Sequence, residues 1–306
     1  MAKHFNIEAL NVDTPLSYEF SFDPHEEGNE LEDEGDLSKR IKEYRERVGA
    51  LQYLANSSRP DLSFASNYLS RFCLYPHRDL KRQLDRCIGY ALKTRNHSIK
   101  YSYKWNPDHE YNHLIGFSDA SHGGDKCNRK STSGCIFMYG GGPIYWCSRV
   151  AKIAAISSTE AELVSMVDAG HELITLREAM ILLGLVNEEY SDQYSPPCSI
   201  WLNQHGELKN NDSWDDFDKD GYNDLHSLKK FLIMVDNTPA IQLSKSLACR
   251  GRTRYMGTRI AKANELVNKK WIKFEYINTK DMLADILTKP VTPAVLNHLI
   301  PKIFRR

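Results

Sequence analysis

Three aspartates occupy places where aspartate is awkward. Asp119 closes the short apolar run LIGFSD, Asp236 closes FLIMVD, and Asp285 lies inside the apolar text LADIL. Aspartate disfavours strands, and a lone buried carboxylate is costly unless something positive compensates it. Each has a plain reading on its own: Asp119 and Asp236 cap the turn or helix that follows, and Asp285 faces solvent. A divalent cation accounts for all of them together, and ligands in open α/β sheets gather at strand ends. The helix text opening at Ser157 adds a fourth carboxylate. Ser157-x-x-Glu160 is a capping box, which gives Glu160 a structural task and leaves Glu162 to project toward the sheet edge. Asp119, Glu162, Asp236 and Asp285 are therefore a candidate set of hard oxygen ligands. They suit two Mg2+ ions, with Mn2+ as a substitute, and two-metal hydrolysis of a phosphodiester.

The elements that must position these acids follow from hydrophobic period. Between Ser38 and about residue 105, apolar residues recur at three and four through KEYRERVGALQYLA, PDLSFASNYLSRF and HRDLKRQLDRCIGYALK, which predicts amphipathic helices with basic outer faces. After residue 106 the period shortens. LIGFSDAS, TSGCIFMYG and GPIYWCSR read as strands of an antiparallel meander separated by glycine-rich turns. A long helix runs from Ser157 to near Gly184, followed by CSIWLN, a polar loop, and the apolar strand KKFLIMVDN. The helix TPAIQLSKS, a basic helix around 255 to 270, the strand WIKFEYIN and a short helix DMLADILTK complete the order. The expected class is α/β, a mixed sheet flanked by helices.

Composition bounds the setting. The 306 residues carry a formal net charge of zero and 41% hydrophobic residues, enough for a substantial core. Charge is nevertheless segregated: the first 37 residues are acidic, and Lys245 to Lys273 holds Arg250, Arg252, Arg254, Arg259 and Lys262 among other bases, against the acid Glu265. The acidic opening reads as a partly disordered tail in which NVDTPL is a candidate docking segment. Seven scattered cysteines without a CxxC pair favour reduced thiols, and neither a signal peptide nor a membrane span is apparent. The expectation is a soluble intracellular chain.

Three other motifs compete. His109-Glu110-x-x-His113 has the spacing of a zinc-protease helix, but Pro107 and the strand at LIGFSD leave it little more than a turn. Asp216-x-Asp218-x-Asp220-Gly221 opens like a calcium loop, yet Ser227 stands where the bidentate glutamate belongs. Val167-Asp168-Ala169-Gly170 lies in mid-helix and lacks the hydroxyl residue of an aspartic-protease loop.

The phrases FSDASHGGD (117–125), RKSTSG (129–134), SSTEAEL (157–163), VDNTPAI (235–241) and LADILTKP (283–290) resemble, in order, the ribonuclease H domain of copia-type retrotransposon Pol polyproteins. Upstream, VGALQYLANSSRPDLSFASNYLSRF looks like the segment that follows the reverse-transcriptase palm, and NVDTPL like the one before it. The resemblance implies a ribonuclease H-like domain over 106–290, with an acidic insertion at about 205–228. A thumb- or connection-like helical segment would precede it at 38–105, and a tail at 291–306 would follow. It also implies cleavage of the RNA strand of RNA:DNA hybrids during reverse transcription. Asp119 would bridge two Mg2+ ions, and Glu162, Asp236 and Asp285 would hold them. Ser131, Thr132, Ser133 and Asn237, together with Arg250, Arg252, Arg254, Arg259 and Lys262, would contact the hybrid; turn chemistry and a solvated helix face are the alternatives. The polymerase part of Pol is the implied partner, and virus-like particles in the cytoplasm, or the nucleus, the implied location. No Tyr-x-Asp-Asp palm motif is present, so no DNA synthesis is expected. The alternative function is a truncated, catalytically silent remnant that only binds nucleic acid.

Overall fold

The computed structural model describes residues 5, 10–18, 20–26, 36–101, 114–125, 128–152, 154–183, 231–246, 251–269 and 271–304. The HEYNH motif, CSIWLN and the acidic insertion with its calcium-like text lie outside these residues.

Helices α1 (Leu37–Ser57), α2 (Ser63–Ser70) and α3 (Arg78–Lys93) come first. Tyr44, Val48, Leu51 and Ala55 fall on one face of α1 at helical spacing, and Asp36 caps it by accepting from the amides of Ser38 and Lys39. Strands β1 (Ile115–Ser121), β2 (Thr132–Tyr139) and β3 (Gly142–Val150) form the meander. Helix α4 (Ser158–Leu182) leads to β4 (Phe231–Val235), α5 (Thr238–Ser244), α6 (Gly257–Asn268) and β5 (Ile272–Tyr276). The chain then turns through two short 3-10 segments, Thr279–Asp281 and Leu283–Leu287, into α7 (Pro293–Ile303).

The sheet order is β3-β2-β1-β4-β5. β1, β2 and β3 pair antiparallel, whereas β4 and β5 add in parallel. This is the mixed α/β sheet that the strand text predicts. Side-chain parity sorts its two faces. Ile115, Phe117, Ile136, Met138, Leu232 and Met234 pack with α1–α3 and α7 in one cluster. Cys135, Phe137, Phe231, Ile233, Val235 and Phe274 pack with α4, α5 and α6 in another. Burying each such large side chain contributes about 1.5–3 kcal/mol.

The helices of 38–105 and the sheet therefore share a core. Polar ties reinforce it: the Trp146 indole donates to Ala55 O at 2.7 Å, and the Asn67 amide donates to Ser148 O at 2.7 Å. The region expected to be a C-terminal tail is helix α7. Leu296, Leu299, Ile300 and Ile303 face the core, and Thr292 caps the helix ahead of Pro293. In the acidic opening, Leu16 and Phe22 are buried, and NVDTPL docks on α3 through Lys93 to Asp13 at 2.8 Å and Arg86 to Thr14 at 3.0 Å. LADIL is 3-10 rather than α-helical.

Candidate metal centre

Each acid reaches the centre from a different element. Asp119 sits near the C-terminal end of β1 opposite Gly134 of β2, and is buried. Asp236 directly follows β4 and is half-buried. Glu162 projects from the second turn of α4, and Asp285 from the 3-10 turn Leu283–Leu287; both are buried. Carboxylate oxygens of Asp119, Glu162 and Asp236 all lie within 4.8 Å of one another. Asp285 stands outside that trio but feels the charge of Asp119 and Asp236.

Local chemistry aims these groups. The capping box forms: Glu160 N donates to Ser157 Oγ at 3.1 Å, and Glu160 Oε2 accepts from Ile156 N at 2.7 Å, one residue before the expected acceptance from Ser157. Glu160 is thereby occupied, and it also pairs with Arg259. Glu162 accepts from the Ala120 amide, while its Oε2 has no hydrogen-bond partner although buried. Ser165 anchors α4 against β1 by donating to Asp119 O at 2.8 Å and meeting Ser118 Oγ at 3.0 Å. Gly134 permits the last approach. A Cβ there would sit 2.7 Å from Leu287 Cβ and 2.8 Å from Thr288 Cγ2, so only glycine lets the turn bearing Asp285 lie against β2.

The electrostatics are those of a negative cage. Burial, followed by the charges of Asp119 and Asp236, pushes Glu162 up to about 9, so it holds a proton at neutral pH. Burial and Asp119 push Asp285 up to about 7, against the opposing pull of Lys289. Asp236 is raised by burial and by Asp119. Lys289 provides the positive charge at this site, with Nζ 2.8 Å from Asp285 Oδ1 and 3.9 Å from Asp119 Oδ2. Thr288 Oγ1 donates to Asp119 Oδ2. Among the described residues, four acids against one lysine, with the buried Glu162 Oε2 unpartnered, fit a divalent cation with hard oxygen preference.

Sequence reasoning missed Thr288, Lys289 and Ser165. The signal for Lys289 was its position four residues after Asp285, one helical turn away. The expected nucleic-acid contacts fare differently. Asn237 caps α5, its Oδ1 accepting from Ala240 N at 2.9 Å. Ser131, Thr132 and Ser133 are buried, and Ser131 Oγ accepts from Gly123 N at 3.3 Å. Arg259 is paired with Glu160, and Lys262 pairs with Glu265 at 2.9 Å. Arg254 is exposed beside Tyr255, whose hydroxyl lies 3.1 Å from Ser157 Oγ. Arg252 belongs to the 3-10 turn Gly251–Met256, and Arg250 lies outside the described residues.

No protein-family profile matches the chain. The Retrovirus-related Pol polyprotein from transposon TNT 1-94 of Nicotiana tabacum is 27% identical over 290 residues, 94% of this chain and 18% of that protein. The one from transposon RE2 of Arabidopsis thaliana is 30% identical over 261 residues, 85% of this chain and 15% of that protein. This chain is a homologue of retrotransposon Pol polyproteins. It spans less than a fifth of the length of these relatives. Among solved structures, LC11-RNase H1, isolated from compost, covers 58% of the Pol homologue and 93% of its own chain at 12% identity and a TM-score of 0.35. Among the described residues of the Pol homologue, no helix is long and apolar enough to cross a membrane.

Proposed function

We propose that this chain is a divalent-metal-dependent ribonuclease H, hydrolysing the RNA strand of an RNA:DNA hybrid. The observation that carries the reading is the convergence of Asp119, Glu162 and Asp236 within 4.8 Å from three separate elements. Asp285 and Lys289 complete the surroundings. Homology to Pol polyproteins supports the reverse-transcription setting, and with it the polymerase part of Pol as partner. Asp119, Glu162, Asp236 and Asp285 would hold two Mg2+ ions, whose chemistry is to lower the pKa of a bound water and to stabilise charge on the leaving oxygen.

The chain's own residues do the rest. Asp119, fixed by Thr288 and by its strand, would serve as a ligand at the sheet end. Glu162, pushed up by burial and then by the Asp119 and Asp236 charges, would have to give up its proton to act as a ligand, which a bound cation would favour. Lys289, 40% exposed along its side chain, reaches Asp285 from the rim and would offer a positive charge to a phosphate of the hybrid. Arg254 and Tyr255 offer an exposed cationic and aromatic pair for the hybrid backbone.

The test is cleavage of labelled RNA annealed to DNA by the full chain in Mg2+. Wild type should shorten the RNA strand, and Asp236→Asn should not. Hybrid binding by wild type without any cleavage would support the silent remnant instead.

A further inference from the structure

We infer that Cys135 and Cys147 form a redox-reactive dithiol, a site at which a peroxide writes a reversible cross-strand disulfide between β2 and β3. The inference is independent of the acidic centre. Cys135 and Cys147 are direct partners in the antiparallel β2–β3 register, and their sulfurs lie 3.3 Å apart, in mutual hydrogen-bond contact. Directly opposed residues on neighbouring strands have the short Cα separation that a disulfide requires, so the backbone need not move far to close the bond. Both are reduced thiols in this structure.

Their surroundings assign them different tasks. Cys135 is 3% exposed and packs among Phe137 and Leu173, where a thiol gains nothing from ionising. Cys147 lies on β3, an end strand of the described sheet, and is partly exposed. Arg149, two residues along the same strand face, holds its guanidinium near by, tied to Glu172 at 2.7 Å and Tyr145 at 3.2 Å. Hydrogen bonding from Cys135, aided by Arg149, lowers the Cys147 thiol, whereas its contact with Cys147 and burial raise Cys135. Cys147 is the attacking thiolate and Cys135 the resolving thiol.

The chemistry balances with hydrogen peroxide as the named oxidant. The Cys147 sulfur attacks one peroxide oxygen, the O–O bond breaks, and sulfenic acid and hydroxide form. The Cys135 sulfur then displaces the sulfenyl oxygen as water. Two thiols have been oxidised to one disulfide, and one peroxide has been reduced to two waters. A sulfenic acid that meets a thiol at van der Waals distance condenses before further oxidation.

The experiment exposes the folded full chain to limiting hydrogen peroxide, quenches with an alkylating reagent under denaturing conditions, and maps cysteines by mass spectrometry. The expected product is a Cys135–Cys147 linked peptide, lighter by two hydrogens, with both sites losing alkylation together and regaining it after dithiothreitol. In Cys135→Ser, Cys147 should instead advance to sulfinic acid. The inference is overturned if wild-type Cys147 becomes sulfinic acid while Cys135 stays alkylatable. It is equally overturned if half-buried Cys73 oxidises before this pair, or if the linked peptide joins other cysteines.

Discussion

Replacing Glu162 with glutamine should stabilise the metal-free protein while destroying its response to Mg2+. Glu162 ordinarily titrates at 4.5 and is pushed up to about 9 by burial and by the Asp119 and Asp236 charges. Its folded form is therefore protonated across most of that window while the unfolded form is ionised, so folding takes up a proton and stability falls as pH rises from 4.5 toward 9. At about 1.4 kcal/mol per pH unit, the cost reached at neutral pH is up to about 3 kcal/mol. Glutamine, similar in shape to the protonated acid, does not incur it. Urea unfolding in EDTA at about pH 5, 7 and 9 should show the variant and wild type nearly equal at the acid end and the variant progressively ahead above it. In saturating Mg2+ the order should reverse, because the cation binds the wild-type cage and stabilises it by mass action. A pH-independent difference, or a variant less stable than wild type in EDTA at neutral pH, would refute this electrostatic account.

Other outcomes follow from named contacts. Arg259→Ala should cost about 1–3 kcal/mol, because buried Glu160 loses its ion pair. Its effect on cleavage should appear in kcat through a loosened α4 terminus more than in hybrid affinity, a split that steady-state kinetics reads. Gly134→Ala should lower both thermal stability, by about 1–3 kcal/mol, and Mg2+ affinity, since the new methyl displaces the turn carrying Asp285 and Thr288. Asp281→Ala should weaken the docking of α7 by about 2–4 kcal/mol in urea unfolding, because Lys302, 8% exposed along its side chain, loses its carboxylate, and His298 loses a 2.7 Å partner.

The acids of the centre were legible because they violate local expectation: an aspartate at the end of FLIMV has few reasons to be there. The capping box separated Glu160 from Glu162 for a reason that the structure repeats, since Glu160 is occupied and Glu162 Oε2 has no partner. Strand alternation gave the mixed sheet. Other features depend on partners distant in sequence. Arg259 looked like a phosphate contact because its basic neighbours are visible in the text, whereas Glu160, 99 positions earlier, is not. Asn237 carried a local cap signal that the resemblance overrode. Helix α7 was hidden by Pro293 and Pro301, although the first suits a helix start and the second lies in its last turn. The shared core between the upstream helices and the sheet had no local signature, because helix periodicity reports which face is apolar and not what covers it.

Calorimetric titration of Mg2+ into the full chain reads out whether Asp119, Glu162, Asp236 and Asp285 bind cations. Wild type should bind with saturation and release protons as Glu162 ionises, so that the measured heat varies with the buffer's own ionisation enthalpy. Asp119→Asn, verified as folded by circular dichroism, should lose that binding. Equal Mg2+ binding by wild type and Asp119→Asn, or no binding by wild type, would contradict the account.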